Sequence, residues 1–282
     1  MDEVTVLDHG FVRLVDVMGD DQRIVQAARV SYGAGTKSVR EDRGLIRYLM
    51  RHKHTSPFEM VEFTFHLKMP VFVARQHIRH RTANVNEISG RYSVINDEFY
   101  IPDVSRMQKQ STDNKQGSSS ELISNPEMEV HHLEVEDNQA YEAYKDRINA
   151  GMARELARIN LPLSMYTEMY WKIDLHNLLH YLRLRLDDHA QYEIRVFAQA
   201  MYDLIKERVP LACEAFEDYA LNSMTLSAAE VRLLGNLILR YPEFVDVAEE
   251  ELVEEALPSK GERDEFLVKY SKFFSHLDPQ TL

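Results

Sequence analysis

The stretch Val61-Glu62-Phe63-Thr64-Phe65-His66-Leu67-Lys68-Met69-Pro70-Val71 decides how the rest of this 282-residue chain is read. From Val61 to Met69 the residues alternate without a break. Val61, Phe63, Phe65, Leu67 and Met69 share one side, and Glu62, Thr64, His66 and Lys68 share the other. Successive side chains of a strand point to opposite faces, so this segment is a strand with one face buried. Pro70 stands where a helix can begin, because the first turn does not use the N–H that proline lacks. The spacing predicts a short helix over Val71–Arg81, with Val71, Ala74 and Ile78 on one side and Arg75 and Arg79 on another. After a polar loop, a further strand is expected from Tyr92 to Ile101.

That loop is the most polar stretch nearby. Arg79-His80-Arg81-Thr82-Ala83-Asn84-Val85-Asn86-Glu87-Ile88-Ser89-Gly90-Arg91 holds three arginines, a histidine, a carboxylate, two asparagine amides and a serine in thirteen residues. One or two arginines would read as a solvated surface. Arg79 and Arg81 flanking His80, with Glu87, Ser89 and Arg91 close behind, call for a ligand instead. Arginine forks suit phosphate, with which they form paired charge-assisted hydrogen bonds. A carboxylate among them suits a sugar hydroxyl or a ring N–H. The cluster therefore reads as a site for an anionic, partly planar ligand on a strand–helix support.

The chain carries 33 Lys and Arg against 46 Asp and Glu, a net charge of −13. From Tyr241 to Leu282 there are eleven acidic and four basic residues, so this tail holds −7 of that total. The body is only mildly acidic and keeps its arginines concentrated, which favours a small anion over a polynucleotide. An RNA-binding reading of Arg-His-Arg would need a basic face. A metal-dependent phosphohydrolase is the other rival, raised by twelve histidines and by Asp187-Asp188-His189. His52, His54 and His66 show no ordered ligand spacing, and no metal is expected. No apolar run is long enough to span a bilayer, and Met1-Asp2-Glu3 does not open a signal segment. The single cysteine, Cys213, fits a buried core thiol and a reducing cytosol, so a cytoplasmic protein is expected.

Before the decisive strand, Val4–Leu7 and Phe11–Met18 read as strands joined at His9-Gly10. Asp20 or Asp21 can cap a helix from Gln22 to about Val30, and Ser38 with Glu41 a second helix through His52. Gly33-Ala34-Gly35-Thr36-Lys37-Ser38 lacks the glycine spacing and Gly-Lys-Ser/Thr order of a phosphate loop and reads as an ordinary connection. Beyond Pro102, about 105–125 is rich in Gln, Ser, Asn and Lys, too poor in large apolar residues to offset ordering, and reads as a flexible insertion within about 105–130. Glu134 to about Asn160 shows helical periodicity through Tyr141, Tyr144, Ile148, Met152, Leu156 and Ile159, which puts Arg158 in its last turn before Leu161-Pro162-Leu163.

A second helical pattern runs from Asp174 to Arg195. Leu175, Leu179, Leu182 and Leu186 make an apolar stripe, Asp174, Tyr181, Arg185 and Tyr192 a second face, and His176, His180, Arg183 and Asp187 a third. Either a long surface helix with charge pairs or a helix meeting two ligands or subunits would account for this. Leu211–Ala220 completes the core, and Ser227–Tyr241 and Glu249–Phe274 read as two further amphipathic helices. The expected fold is α/β of the α+β type, a mixed or antiparallel sheet flanked by long helices. Residues 1–220 are expected to form the catalytic domain and 221–282 a helical C-terminal extension.

Two of these stretches resemble a known family. Arg79-His80-Arg81, seven residues, then Ser89, with Asn86-Glu87 inside and Gly90-Arg91 after, looks like the signature of the flavin-dependent thymidylate synthases. Leu184-Arg185-Leu186-Asp187-Asp188-His189-Ala190-Gln191-Tyr192-Glu193-Ile194 resembles a second segment of the same family. The resemblance covers roughly residues 1–220. Asn84 stands where members often have Ser, and both are small hydrogen-bonders.

The resemblance implies methylation of dUMP to dTMP with FAD, NADPH and methylenetetrahydrofolate. It implies a dUMP site from Gln76, Arg79, Glu87, Ile88, Ser89, Gly90, Arg91, Arg158 and Arg185, with Arg185 on the uracil and catalytic. It implies FAD contacts from Ser56, Arg79, His80, Arg81, Glu87, Asp174, Leu175, His176 and His180, and places His54 at the folate or nicotinamide approach. Members often carry Asn or Arg where this chain has Asp174, His176 and His180. A homotetramer with sites shared between subunits is implied as well. No Gly-x-Gly-x-x-Gly occurs, so the arginine–histidine cluster would hold the flavin. No base that would activate Ser89 is evident from the sequence, and it reads as a positioning hydroxyl.

Overall fold

The computed structural model describes residues 3–30, 39–112, 115–240, 256–257 and 259–274. The phosphate-loop-like stretch Gly33–Ser38 and the cap at Ser38 lie outside them. Among these residues there are seven strands: β1 Glu3–Val6, β2 Gly10–Met18, β3 Glu62–Pro70, β4 Asn84–Glu87, β5 Gln108–Gln110, β6 Ser118–Leu122 and β7 Tyr166–Asp174. The first unit, Met1–Leu221, also holds α1 Asp21–Arg29, α2 Val39–Arg51, α3 Val71–His77, α4 Pro126–Asn149, α5 Arg154–Ala157, α6 Leu175–Arg185, α7 Tyr192–Lys206 and α8 Pro210–Phe216.

Five strands form an antiparallel sheet in the order β1-β2-β3-β7-β4. The alternating segment is its centre. Val61, Phe63, Phe65, Leu67 and Met69 are all fully buried, and the pairing sets Phe65 against Trp171 and Phe63 against Ile173. Leu178, Leu182, Ile194, Phe197 and Met201 from α6 and α7 join them in one core. The opposite face is polar and laced with pairs: Lys172 Nζ donates to Glu62 at 2.8 Å, Lys68 Nζ to Glu98 at 2.7 Å, and His66 meets Glu168 at 3.0 Å.

The capping signal read at Asp20 works as expected. Asp20 accepts the N–H of Arg23 and starts α1. Asp21 is buried and accepts the N–H groups of Leu211 and Ala212, which ties α1 to the start of α8. Burial holds its carboxyl above the usual carboxylate range.

Several expectations are corrected. The helix after Pro70 ends at His77 instead of Arg81. The polar stretch after it is not wholly loop, because Asn84–Glu87 pairs with β7 as an edge strand. Tyr92–Ile101 is no strand; only Phe99 makes an isolated bridge, to Met165. The insertion contains the β5–β6 hairpin, and 126–130 belongs to α4. That helix begins at Pro126, whose fixed φ suits the first turn, and stops at Asn149. Gly151 follows with φ +86°, a conformation that ends the helix, so Arg158 sits in a separate short turn. The pattern from Asp174 to Arg195 is two helices broken over 186–191. There Asp187 accepts from the N–H of its neighbour His189 and draws the backbone into a turn.

The second unit, Asn222–Leu282, contains α9 Ala228–Arg240 and α10 Lys260–Phe274. Ser227 and Glu230 form a reciprocal capping box before α9. The expected start of the last helix at Glu249 lies outside the described residues.

Candidate active site

The residues expected at the site fall into two groups. The first gathers at the sheet edge. Asn-Val-Asn-Glu has little strand propensity of its own, and the free edge of β7 imposes the pairing. The N–H of Ile88 extends it by donating to the Glu168 carbonyl at 2.9 Å. Thr167 donates to Glu87 at 2.6 Å, which orients that carboxylate. The Ser89 carbonyl then accepts from Tyr92 and Ser93, and its hydroxyl accepts from the N–H of Arg91 at 3.3 Å, so Ser89 heads a tight turn.

Gly90 lies buried inside this turn. A Cβ there would stand 2.9 Å from Ile95 Cδ1 and 3.1 Å from Arg158 Cδ. The missing side chain is what lets Arg158 lie across the turn. Glu87, Ile88, Ser89, Gly90 and Arg158 line a notch of about 90 Å³. Arg91, the next residue, is paired with Glu155 at 3.3 Å where both are exposed, a contact of little energetic weight. The Arg158 guanidinium has no hydrogen bond or ion pair among the described residues.

The second group lies between α3 and α6. Arg185 Nε donates to His80 Nε2 at 3.1 Å. Arginine has only donors to offer, so His80 must present the lone pair of Nε2 and carry its proton on Nδ1. Burial, then the charge of Arg185 and then His180, push the His80 imidazole down to about 4. It is therefore a neutral acceptor at neutral pH. The His180 ring lies 6.3 Å away. Beneath His80 sits Tyr181, whose ring meets it edge-on at 4.7 Å. The Tyr181 hydroxyl reaches His77 Nδ1 at 3.1 Å, and His77 packs against Trp171 at 4.3 Å.

The remaining expected residues are placed as follows. Gln76 hydrogen-bonds Gln191, across from the start of α7. Arg79 and Arg81 are exposed beside His80, and their guanidinium groups are unpaired among the described residues. Asp174 caps α6, accepting from the Asn177 backbone at 3.0 Å and from its amide at 2.6 Å. Leu175 is buried in the core and His176 half-buried. His54 and Ser56 are exposed on the turn after α2, with His54 edge-on to Tyr48 at 5.8 Å.

Thus the chain brings Glu87, Ile88, Ser89 and Gly90 together with Arg158, and His80 with His180 and Arg185. No hydrogen bond, ion pair or ring contact joins the two groups to each other, or His54 to either, among the described residues. Nor does any group of three or more His, Cys, Asp or Glu side chains among the described residues converge there as metal ligands would. Ser89 has no carboxylate or imidazole on its hydroxyl among the described residues. Cys213 is buried, and burial pushes its thiol up to about 12, which removes it as a nucleophile. The unpaired Arg79 and Arg81 next to neutral His80 suit a phosphate-bearing ligand.

Sequence reasoning misses His77 and misplaces Tyr181. Helical spacing puts Tyr181 on a polar face, yet it is fully buried, as is His77. A signal exists: Val73, Ala74 and His77 fall at helical spacing, and all three are buried.

Comparison with known proteins agrees with this geometry. Residues 13–211 match the family model described as thymidylate synthase complementing protein. The chain is 56% identical to the flavin-dependent thymidylate synthase of Treponema denticola over 238 residues, 84% of this chain and 90% of the relative. It is 58% identical to that of a Thermus thermophilus strain over 235 residues, 83% and 86% of the two chains. Among solved structures, the UMP/dUMP methylase PolB of Streptomyces cacaoi bound with 5-Br dUMP superposes with a TM-score of 0.71 at 32% identity. The match covers 78% of this chain and all of that one. The motif residues, the five-stranded sheet and the matched span lead to one conclusion: this chain belongs to the flavin-dependent thymidylate synthase family.

Proposed function

We propose that the protein methylates dUMP to dTMP, taking the carbon from methylenetetrahydrofolate and using FAD as redox cofactor and NADPH as reductant. The observation that carries this reading is Arg185 held through Nε by neutral His80, which leaves its terminal N–H groups free for a ligand. A fixed, permanently charged fork is suited to the N3–O4 edge of uracil, where negative charge builds as C5 becomes nucleophilic. Arg158, Arg79 and Arg91 supply charge for the phosphate, Glu87 and Ser89 supply acceptors for the sugar, and Gly90 leaves the turn open. Bound FAD would supply the hydride that completes the methyl group. Arg79, His80 and Arg81, with Asp174, His176 and His180 at the start of α6 and Ser56 nearby, would hold it. His54 would face the incoming folate or nicotinamide. The solved relatives whose names carry UMP and dUMP support a nucleotide substrate.

Among the described residues no hydrogen bond, ion pair or ring contact joins the two groups within one chain, and each holds only part of the expected set of ligand-binding residues. We therefore propose a homotetramer in which the Glu87–Arg91 edge of one subunit meets the Arg185 group of another. No helix of the described residues is long and apolar enough to cross a membrane, and a free, buried Cys213 suits a reducing cytoplasm.

Anaerobic titration with NADPH tests the assignment. The purified protein should show a flavin absorbance that NADPH bleaches, and adding dUMP with methylenetetrahydrofolate should restore it with formation of dTMP. A colourless protein that takes up no FAD would overturn the reading. For the shared site, Arg158→Ala and Arg185→Ala, one from each group and each inactive alone, should regain partial activity when co-expressed. Mixed oligomers with no more turnover than either parent would exclude it.

A further inference from the structure

His77 is a costly residue to keep where it is. It is fully buried, Nε2 has no hydrogen-bond partner among the described residues, and burial together with the charges of His80 and Arg185 pushes the imidazole down to about 3, so it stays neutral. Leaving a polar atom buried and unpaired costs on the order of 1–3 kcal/mol, and a hydrophobic side chain of similar volume would avoid that. What His77 does make is one hydrogen bond, from Nδ1 to the Tyr181 hydroxyl at 3.1 Å.

Tyr181 is equally buried, and its hydroxyl has no other partner among the described residues. Its ring in turn supports His80 edge-on at 4.7 Å and 76°. His80 accepts from Arg185 at 3.1 Å. A continuous path of contacts therefore runs from the core to the guanidinium: His77, Tyr181, His80, Arg185.

We propose that His77 is a positioning residue for Arg185, acting through the Tyr181 ring that fixes the plane of His80. This rests on the role assigned to Arg185 in the reaction. Arg185 sits in the last turn of its helix, where a long side chain without support would sample several rotamers. The bond to His80 selects one, and it survives only while His80 is correctly turned and unprotonated. The groups facing His80 are Arg185, His180 and Tyr181 from α6 and His77 from α3. Each cation among them, actual or potential, opposes a charge on His80. Removing the hydrogen-bonding atom of His77 would leave the Tyr181 hydroxyl buried without a partner. The ring would then shift towards water and expose His80.

The test is the titration of His80, followed by NMR on the full-length, flavin-loaded protein, alongside dUMP turnover. In His77→Phe the imidazole should move from about 4 towards the ordinary value of 6.5. Because protonation destroys the acceptor, activity should then fall as pH drops below neutrality, where the parent still works. At neutral pH kcat should fall about tenfold with little change in the KM for dUMP, the pattern of a misaligned group and not of a lost binding contact. His77→Asn puts a hydrogen-bonding atom near the Nδ1 position and should retain most of both properties. Should His77→Phe not fold, His77→Leu, which also lacks a hydrogen-bonding atom for the Tyr181 hydroxyl, predicts the same direction. A purely structural role would lower the folded fraction and leave the His80 titration and the acid limb in place; that result overturns the inference. Arg185→Ala separates the two layers. If it is active, the reading of Arg185 falls. If it is dead while His77→Phe turns over normally, only the inference falls.

Discussion

The two polar groups differ in how they hold their arginines. At the sheet edge, Arg158 lies across Gly90 without a hydrogen bond or ion pair among the described residues. Between α3 and α6, Arg185 is fixed by His80 before any ligand arrives, and His80 rests on a buried ring. The difference fits two tasks. Phosphate binding tolerates mobile cations, since charge attracts from several directions and each arginine adds to the sum. Stabilising charge that appears only during reaction requires a donor already in place, because reorganisation at that moment would cost part of what it contributes. A neutral histidine is a suitable anchor here: it accepts a hydrogen bond from arginine without cancelling its charge, as a carboxylate would.

The largest expected effect separates the groups directly. Arg185→Ala should lower kcat for dUMP methylation by about 10³-fold while flavin absorbance and affinity stay near the parent. Loss of flavin with equal loss of turnover would move Arg185 into the cofactor site and dissolve the contrast. Gly90→Ala tests the loose side. Its Cβ must displace Ile95 or Arg158, so the KM for dUMP should rise about tenfold with kcat nearly unchanged. A fall in kcat alone would show that Arg158 acts on the reacting ring and not on binding.

Smaller changes should sharpen the picture. Ser89→Ala removes a hydroxyl that closes a turn and positions the sugar without taking part in bond making, and should cost about a fewfold in turnover. A variant wholly dead with dUMP and FAD affinities intact would bring covalent catalysis by serine back into consideration. Cys213→Ala should leave turnover unchanged and lower stability by about 1 kcal/mol, through lost packing in the core. Abolished methylation in a normally folded protein would contradict the electrostatic mechanism.

Much of the fold and of the site is legible in the amino-acid sequence by itself. The unbroken alternation of Val61 to Met69 determines a strand with one dry face, because a period of two admits no other regular structure. Asp20 determines a helix start through a hydrogen bond three residues long in sequence. The stretch from Arg79-His80-Arg81 to Ser89 carries the resemblance to the family's signature. Each of these signals is local, complete within about a dozen residues.

What only the tertiary structure decided depends on partners far along the chain. Asn84–Glu87 is a strand because β7 offers it a free edge some eighty residues away in sequence, and nothing in Asn-Val-Asn-Glu announces that. The pattern from Asp174 to Arg195 continues at helical spacing through a break that the turn at Asp187 imposes, so periodicity alone runs two helices together. His77 and Tyr181 meet across 104 positions. Which polar residues go into the core is settled by which elements pack together, and a buried hydrogen bond leaves no mark on the spacing of either partner's own helix.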